Sequence, residues 1–232
     1  MIIIVANRWD QTPRAVASRW SPHDVGVLTA QDLSTAGWNQ CLPTMGNPAG
    51  VIERKLVSHR EISAVLTRLP CIFAAELTDI VPEDRSYVAA EMTSFLLFWL
   101  SRLTCPMLNR PTPICLCGPY WRREKWLHVA ARAGIPVQPV SRLASMKAGL
   151  TERGVLPATT TLTVVGSRVF GDSELCLHQQ ALRLARLAGV DLLSVDFSSR
   201  ERGAYFVGAN VSPDLSDNRI ADAVLEFLQR GR

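Results

Sequence analysis

The sequence predicts an α/β protein built from two units, and three observations support that prediction. A continuous run of mostly branched apolar residues, 2–6, is typical of a buried parallel strand. A helical segment and a second strand follow it before residue 30. The last third of the chain alternates strand-like and helix-like segments that are separated by turns.

The first part of the chain carries clear start and stop signals for its elements. Pro13 takes the first position of a short helix, where a missing N–H costs nothing. Glu83 and Asp84 favour the start of a long helix, because the positive end of the helix dipole lies there. Gly134, followed by Ile-Pro, ends a third helix. The predicted strands are 2–6, 25–29, 51–57 and 62–67, and the predicted helices are 12–19, 82–103 and 119–133.

The last part of the chain is predicted to form a smaller α+β unit. Gly166 marks a hairpin turn, Gly189 ends a helix, and Asp217 caps the final helix. Residues 141–159 show no clear period. The predicted strands are 161–165, 168–170, 190–197 and 204–209, and the predicted helices are 174–188 and 217–229. We therefore predict two domains, residues 1–140 and residues 141–232.

Composition and charge exclude several classes of protein. The net charge of +4 is spread along the chain without a run of five basic residues, so we predict no nucleic-acid partner. No apolar run approaches the roughly 20 residues of a membrane span, and the N terminus lacks the basic region of a signal peptide. We therefore predict a cytoplasmic protein that does not associate with membranes. The six cysteines form no CxxC pair, which favours reduced, mostly buried thiols over a zinc site.

Polar side chains follow two of the predicted strands, at the ends where open α/β sheets bind ligands. Asn7, Arg8 and Asp10 come just after the first strand, and Arg68 comes directly after strand 62–67. These four residues are therefore candidates for lining a ligand site. The alternative is that they are ordinary polar residues of surface loops.

Two stretches carry a resemblance to a known family. The first is residues 108–111, Leu-Asn-Arg-Pro, together with residues 125–137, which end Ala-Gly-Ile-Pro-Val. It resembles the close of the pre-ATP-grasp domain in ATP-grasp ligases of the ribosomal-protein glutamate ligase (RimK-like) and microviridin-cyclase type. In those proteins a helix that ends in a Gly-Ile-Pro turn leads into the ATP-binding region. We expect Trp121 and Trp126, five residues apart, on different sides of that helix.

The second stretch covers residues 164–213. Residues 164–170, Val-Val-Gly-Ser-Arg-Val-Phe, resemble the hairpin before the metal-binding core of these ligases, and residues 190–197 resemble their acidic strand. Residues 205–213 resemble the strand that usually ends in Glu-x-Asn-x-x-Pro. The resemblance implies a pre-ATP-grasp-like α/β domain joined to a truncated α+β remnant of the ATP-grasp core, with the central lid subdomain missing.

The chemistry of the family explains the second stretch. Its ligases use ATP to phosphorylate a carboxylate, and an amine then displaces the phosphate. Magnesium bridges the phosphates and needs hard oxygen ligands, which two neighbouring strands supply as Asp, Glu and Asn. Asp196 and Asn210 match the Asp and the Asn, but Gly208 stands where the family has Glu. The resemblance therefore implies no complete magnesium site.

Three residues of this region are candidates for ligand binding, each with a structural alternative. Asp196 is either a remaining ligand or a solvated carboxylate at the end of a strand. Asn210 and Ser212 either contact a ligand or form the turn before Pro213.

Whether ATP binding is expected depends on the segment between Pro136 and Val164. It has fewer than 30 residues, one lysine (Lys147) and no glycine-rich phosphate loop. The family places its lid and phosphate-binding lysines there. The resemblance therefore implies that neither ATP nor magnesium is kept as a cofactor. A homodimer is one way to cover the surface that a missing lid would expose.

Two functions remain open on the sequence alone. The first is a degenerate, non-catalytic ATP-grasp-like protein, a pseudoenzyme, that binds a small metabolite, a peptide or a partner modifying enzyme. The second is a minimal ATP-dependent carboxylate–amine ligase or transferase that uses the residual cleft.

Overall fold

The computed structural model describes residues 1–39, 48–138, 141–145, 149–153, 157–200 and 203–230. The chain divides into two compact units, Met1–Tyr120 with Asp214–Arg232, and Trp121–Pro213. This division groups residues by contact and joins the C-terminal helix to the first unit. The predicted domains, residues 1–140 and 141–232, were drawn from the modules of the ATP-grasp resemblance and not from contacts. They remain a prediction.

The first unit begins with alternating strands and helices, as its start and stop signals predict. In chain order its elements are β1 (Ile2–Val5), α1 (Gln11–Arg19), β2 (Val25–Leu28), α2 (Ala30–Leu33), β3 (Ala49–Ile52), β4 (Lys55–Ser58), β5 (Ala64–Thr67), α3 (Arg85–Ser101) and β6 (Met107–Leu108).

A parallel sheet of order β2-β1-β5-β6 lies at the centre of this unit. All four residues of β1 are buried, and Ile4 pairs with Val27 on one side and Leu66 on the other. The predicted buried parallel strand is therefore confirmed. The chain leaves β1 towards β2 on one side and reaches β5 on the other, so the strand order reverses at β1. Carboxyl ends of strands at such a point form the usual ligand crevice of open α/β sheets.

The predicted single strand 51–57 is wrong, because the chain reverses inside it. Glu53 and Arg54 both have positive φ, at 49° and 64°, and β3 pairs antiparallel with β4 across them. Two consecutive residues in this region make the tight turn that matches the twist of a two-stranded hairpin. Neither residue is Gly or Asn, so the turn had no strong sequence signal.

The long helix α3 supplies much of the core of the first unit. Leu96, Trp99 and Leu100 are buried on it among the apolar residues of the sheet. Trp38 packs edge-to-face against Trp99, with ring centroids 5.2 Å apart. Such aromatic contacts add to the stabilisation from apolar burial.

The second unit holds the remaining strands and two helices. In chain order its elements are α4 (Arg123–Arg132), β7 (Ser141–Ser145), β8 (Gly149–Arg153), β9 (Thr160–Val165), β10 (Arg168–Phe170), α5 (Leu175–Ala188), β11 (Leu192–Arg200) and β12 (Gly203–Asn210). Among the described residues, β9 to β12 form an antiparallel sheet of order β10-β9-β11-β12. Helix α5 contacts β9, β10 and β11, and α4 contacts β12.

Several elements of the second unit confirm their signals. The hairpin of β9 and β10 turns at Gly166, and α5 ends at Gly189, which adopts φ 67° as a left-handed helix cap.

One prediction for the second unit is wrong, and one strand pair had no sequence signal. The third helix begins at Arg123, not near residue 119, so Trp121 precedes it and packs against Trp126 at 4.7 Å between ring centroids. Residues 141–145 and 149–153, for which no period was found, pair as the antiparallel strands β7 and β8.

The C-terminal helix α6 (Asn218–Arg230) belongs to the first unit. The Asp217 carboxylate accepts a hydrogen bond from Arg219 N at 2.8 Å, which confirms its predicted role as a cap. On its exposed side, Asp222 forms a bidentate ion pair with Arg19 of α1, at 2.6 and 2.7 Å. Helix α6 also contacts β5, so the end of the chain covers the central sheet of the first unit.

Candidate functional site

The segment after β1 uses two of its predicted site residues to build its own loop. Asn7 Oδ1 accepts a hydrogen bond from Trp9 N at 2.8 Å. Asp10 is the N-cap of α1, and its carboxylate accepts from Thr12 N at 3.0 Å. Both side chains lie at the carboxyl edge of the sheet, where they were expected, and both have a structural partner there.

Arg68, directly after β5, is a buried cation between two carboxylates. Its side chain is 8% exposed, and its Nε lies 3.7 Å from the Asp10 carboxylate. Burial lowers the pKa of Arg68, whereas Asp10, Asp214 and Cys117 oppose that shift. The pKa of Asp214 is lowered first by hydrogen bonds from Ser216, and the charge of Arg68 adds to this. Arg68 thus links the sheet to the α1 cap and to the segment before α6.

A thiol pair lies beside Arg68. The sulfurs of Cys115 and Cys117 are 3.6 Å apart, and both residues are buried. Hydrogen bonding to Cys117 lowers the pKa of Cys115 to about 7, whereas the same contact, with burial, raises the pKa of Cys117. Of the described cysteines, which are all free thiols, Cys176 alone is exposed, and Cys41 lies outside the described residues. The described thiols are free, as predicted. Burial was predicted for most of them and is found for Cys115 and Cys117, whereas Cys71 and Cys105 are half-buried and Cys176 is exposed.

A cleft of about 840 Å³ opens at the carboxyl ends of β1 and β2. Arg8 lines it from the loop after β1, and Thr29 from the residue after β2. Arg54 of the β3–β4 turn and the segment Glu76–Ile80 complete its walls. Of the seven site residues predicted from sequence, Arg8 is the one that lines this cleft.

Glu76 and Arg8 are the inner charges of the cleft. Glu76 is 2% exposed, and its two carboxylate oxygens accept from Arg8 N and Phe73 N at 3.4 Å, a long distance for either bond. Burial raises the pKa of Glu76, against the opposing effect of these N–H groups and of the Arg8 charge. The Arg8 guanidinium carbon lies over the Trp9 ring, 4.7 Å from its centroid, in a cation–π contact. Arg8 Nε is buried without a hydrogen-bond acceptor in the described chain.

Sequence reasoning missed most of the cleft. Thr29 and Asp32 form a reciprocal helix cap, with Asp32 accepting from Thr29 N at 2.9 Å, and the Thr-x-x-Asp spacing after a strand was an available signal. Glu76 had no comparable signal, since its burial depends on tertiary packing.

The second predicted region is the strand pair β11–β12 of the second unit. Asp196 pairs directly with Gly208 in the strand register. The Asp196 carboxylate accepts a hydrogen bond from Thr161 Oγ1 at 2.6 Å. A Cβ atom added at Gly208 would meet only the Asp196 carboxylate within 4 Å, at 3.9 Å, so the space for a larger side chain is open.

Asn210 and Ser212 hold a turn at the end of β12. Asn210 Oδ1 accepts from Ser212 N at 2.9 Å, and Asn210 Nδ2 donates to Ser212 O at 3.1 Å. Both ends of the amide are therefore engaged locally, which agrees with the structural alternative for these two residues. With Asp196 as the single carboxylate at this position, the donors do not fit magnesium, which requires several hard oxygen ligands. Within the described part of the chain, no three His, Cys, Asp or Glu side chains form a metal-binding group.

Comparison by sequence finds no match, either to a protein-family model or to a curated protein. Comparison by structure matches ATP-grasp ligases. The macrocyclase MdnC of Microcystis aeruginosa MRC, bound with the precursor peptide MdnA, superposes with a TM-score of 0.76 at 12% identity, covering 98% of this chain and 98% of that one. The chain has the fold of the ATP-grasp ligases. At such an identity the likeness concerns the fold alone.

Two further structures support an ATP-grasp-like fold. A RiPP-associated ATP-grasp ligase of Chryseobacterium gregarium, in complex with ADP and a leader and core peptide, gives a TM-score of 0.71 at 13% identity, covering 100% of this chain and 97% of that one. A RimK domain ATP-grasp protein of Sphaerobacter thermophilus DSM 20745 gives 0.53 at 12% identity, with 98% of each chain covered.

These matches bear on three expectations. The resemblance to RimK-like and microviridin-cyclase-type ligases is confirmed at the level of the fold, as is the α/β class. The expected truncation and missing lid are not confirmed, since the alignments extend over nearly all of each relative. None of the described helices combines the length and the hydropathy that a bilayer span requires.

Proposed function

We propose that this chain is a non-catalytic ATP-grasp-like protein that binds a peptide. The observation that carries the proposal is the pairing of Asp196 with Gly208. A carboxylate at the glycine position would complete a pair of acidic ligands on neighbouring strands, and the glycine leaves Asp196 alone. One carboxylate is a weak basis for holding Mg²⁺, which gives up its water ligands reluctantly.

The loss of ATP binding is part of the same proposal, and the chain between Pro136 and Val164 supports it. The strands β7 (Ser141–Ser145) and β8 (Gly149–Arg153) take up part of this short interval. Its single lysine, Lys147, lies outside the described residues. A central lid with several phosphate-binding cations has little room in such a segment.

The peptide part of the proposal rests on the fold relatives. MdnC was solved with its precursor peptide MdnA, and the Chryseobacterium gregarium ligase with a leader and core peptide. We extend peptide binding to this chain as a proposal. A small metabolite or a partner modifying enzyme remains a second class of ligand, and the cytoplasmic location and the homodimer stay predictions.

Thermal unfolding with and without Mg-ATP tests the loss of nucleotide binding. A ligand that binds only the native state raises the melting temperature by mass action. We expect about 5 mM Mg-ATP to change it no more than the same concentration of magnesium sulfate does. A magnesium-dependent rise of several degrees would contradict the proposal and favour the minimal ligase. Calorimetric titration with peptides encoded by short reading frames beside the gene tests the peptide part separately.

A further inference from the structure

The cleft of the first unit is lined by charges of both signs. Three arginines and four carboxylates are among its lining residues. A surface that selects an anion, such as a phosphate, would carry an excess of positive charge, and this one does not. The near balance favours a ligand that itself carries both a cation and an anion.

The carboxylates of the cleft differ in how far the protein satisfies them. Asp32 accepts hydrogen bonds from Thr29 N, Thr29 Oγ1 and Arg54 N, at 2.9, 3.0 and 3.4 Å, so it serves the local structure. Glu76 is more deeply buried and has two bonds, both of 3.4 Å. A buried carboxylate with such poor partners is costly for the fold unless a ligand completes its environment.

Arg8 is the matching positive group. Its Nε is buried without an acceptor in the described residues, and its Cζ lies over the ring of Trp9, which is 52% exposed. A cation over an aromatic ring is attracted by the ring electrons, so this contact does not use the N–H donors of the guanidinium. The fork of N–H donors has the geometry to bind a carboxylate through two parallel hydrogen bonds.

We propose that this cleft binds a small zwitterion, either a free amino acid or a short peptide with free termini. The carboxylate of the ligand pairs with the Arg8 guanidinium, and its ammonium pairs with the Glu76 carboxylate. The volume of about 840 Å³ lies within the usual range for small-ligand sites, about 300–1,000 Å³, and is ample for a tripeptide.

This site does not depend on the loss of ATP binding proposed above. That proposal concerns strands of the second unit, whereas Arg8 and Glu76 both belong to the first. A protein that binds Mg-ATP and also selects zwitterions would contradict the proposed function and leave this site standing. A protein that binds neither Mg-ATP nor zwitterions would contradict this site and leave the proposed loss of ATP binding standing.

Calorimetric titration of the full chain with three tripeptides tests the charge requirement. The probes are trialanine, acetyl-trialanine, which lacks the ammonium, and trialanine amide, which lacks the carboxylate. We expect trialanine to bind, and each blocked peptide to bind at least about tenfold more weakly, since each loses one charge pair. Pools of the common L-amino acids extend the search to single residues.

Two variants assign each end of the ligand to its partner. In Glu76→Gln, trialanine and acetyl-trialanine should bind equally, because the partner of the ammonium is gone. In Arg8→Gln, trialanine and trialanine amide should bind equally for the same reason at the other end. Arg8→Lys keeps the charge without the fork and should keep part of the discrimination, which guards against loss through misfolding. Glu83→Gln and Arg186→Gln, both exposed and outside the cleft, are the matched controls and should bind as the wild type does.

Three results would overturn the assignment. The first is the absence of binding by trialanine and by every amino-acid pool up to about 10 mM, the weak limit of a useful site. The second is equal binding of blocked and free peptides by the wild type. The third is discrimination that survives unchanged in both Glu76→Gln and Arg8→Gln.

Discussion

Two regions were predicted to hold ligand-binding residues: the carboxyl edge of the parallel sheet and the β11–β12 strand pair. They differ in the charged and polar groups that they present. The sheet edge keeps buried charges: Arg68 between two carboxylates, and Glu76 with weak partners. The strand pair keeps Asp196, but opposite a glycine, and Asn210 closes a turn. Burying a charge costs free energy, so a buried charge needs either a structural partner or a ligand. Arg68 lies against the Asp10 carboxylate, whereas Glu76 has two hydrogen bonds, both long at 3.4 Å.

Removing Arg68 should have the largest effect, because it leaves Asp10 and Asp214 beside a buried void. We expect Arg68→Ala to lower the free energy of unfolding by about 2–3 kcal/mol, through loss of a buried side chain and of its contact with Asp10, whose own side chain is 31% exposed. Such a loss is a large share of a typical total of about 5–15 kcal/mol. Urea unfolding followed by tryptophan fluorescence measures it.

The exposed pair of Arg19 with Asp222 is the matched control for this change. Its hydrogen bonds are shorter, at 2.6 and 2.7 Å, but both partners are solvated. Exposed ion pairs contribute little to stability, so Arg19→Ala should change the unfolding curve only slightly. If the two variants lost the same stability, Arg68 would not be the structural link described here.

Glu76→Gln should have a smaller effect of opposite sign, and one that depends on pH. Burial raises the pKa of Glu76 above its ordinary value of 4.5. Between the unfolded and folded pKa values the native state binds more protons than the unfolded state, so the wild type loses stability as pH rises through this window. Gln resembles the protonated acid and does not titrate. The variant should therefore be the more stable protein at pH 8, with a gap that closes towards pH 4.

Melting temperatures from pH 4 to pH 8 measure that gap. Glu91→Gln replaces an exposed carboxylate within α3, away from the helix start, and should track the wild type at every pH. A constant gap for Glu76→Gln would mean that ionisation of Glu76 does not cost the fold stability. The inference that Glu76 is an unsatisfied charge whose environment a ligand completes would then lose support.

Local signals were sufficient for much of the fold. The apolar run of β1, the turn at Gly166 and the helix end at Gly189 each depend on residues next to one another in sequence, and all three were predicted. The reversal at Glu53–Arg54 was missed because side chains with no strong turn preference adopt positive φ there. The pairing of β7 with β8 was missed because residues 141–159 have no alternation of apolar and polar residues.

The site was predictable where a side chain acts on its own loop. The turn at Asn210 and Ser212 was one of the two alternatives drawn from sequence, and short polar side chains that bond two residues ahead are a general turn device. The place of Glu76 in the cleft was not predictable. What marks it as a candidate is its burial, together with its long hydrogen bonds to Arg8 N and Phe73 N. Those properties depend on how distant parts of the chain pack.

The smallest effect should come from restoring a carboxylate at Gly208. The strand there is extended and the added side chain meets only Asp196, at 3.9 Å from Cβ, so the fold accommodates it. Like charges directly opposite on neighbouring strands are destabilising, by up to about 1 kcal/mol. Gly208→Gln has the same shape without the charge and is the matched control.

We therefore expect Gly208→Glu to be slightly less stable than Gly208→Gln in the absence of metal. Millimolar Mg²⁺ should remove the difference, because a cation between two carboxylates relieves their repulsion. We expect no ATP-dependent amide formation by Gly208→Glu, since one carboxylate does not supply the phosphate-binding cations of a ligase. Chemical denaturation with and without Mg²⁺ measures the first outcome, and product formation from a carboxylate and an amine measures the second.

If the two variants were equally stable in both conditions, position 208 would not face Asp196 closely enough to share a metal. If Gly208→Glu formed amide product, a single lost carboxylate would be all that separates this strand pair from a working ligase site.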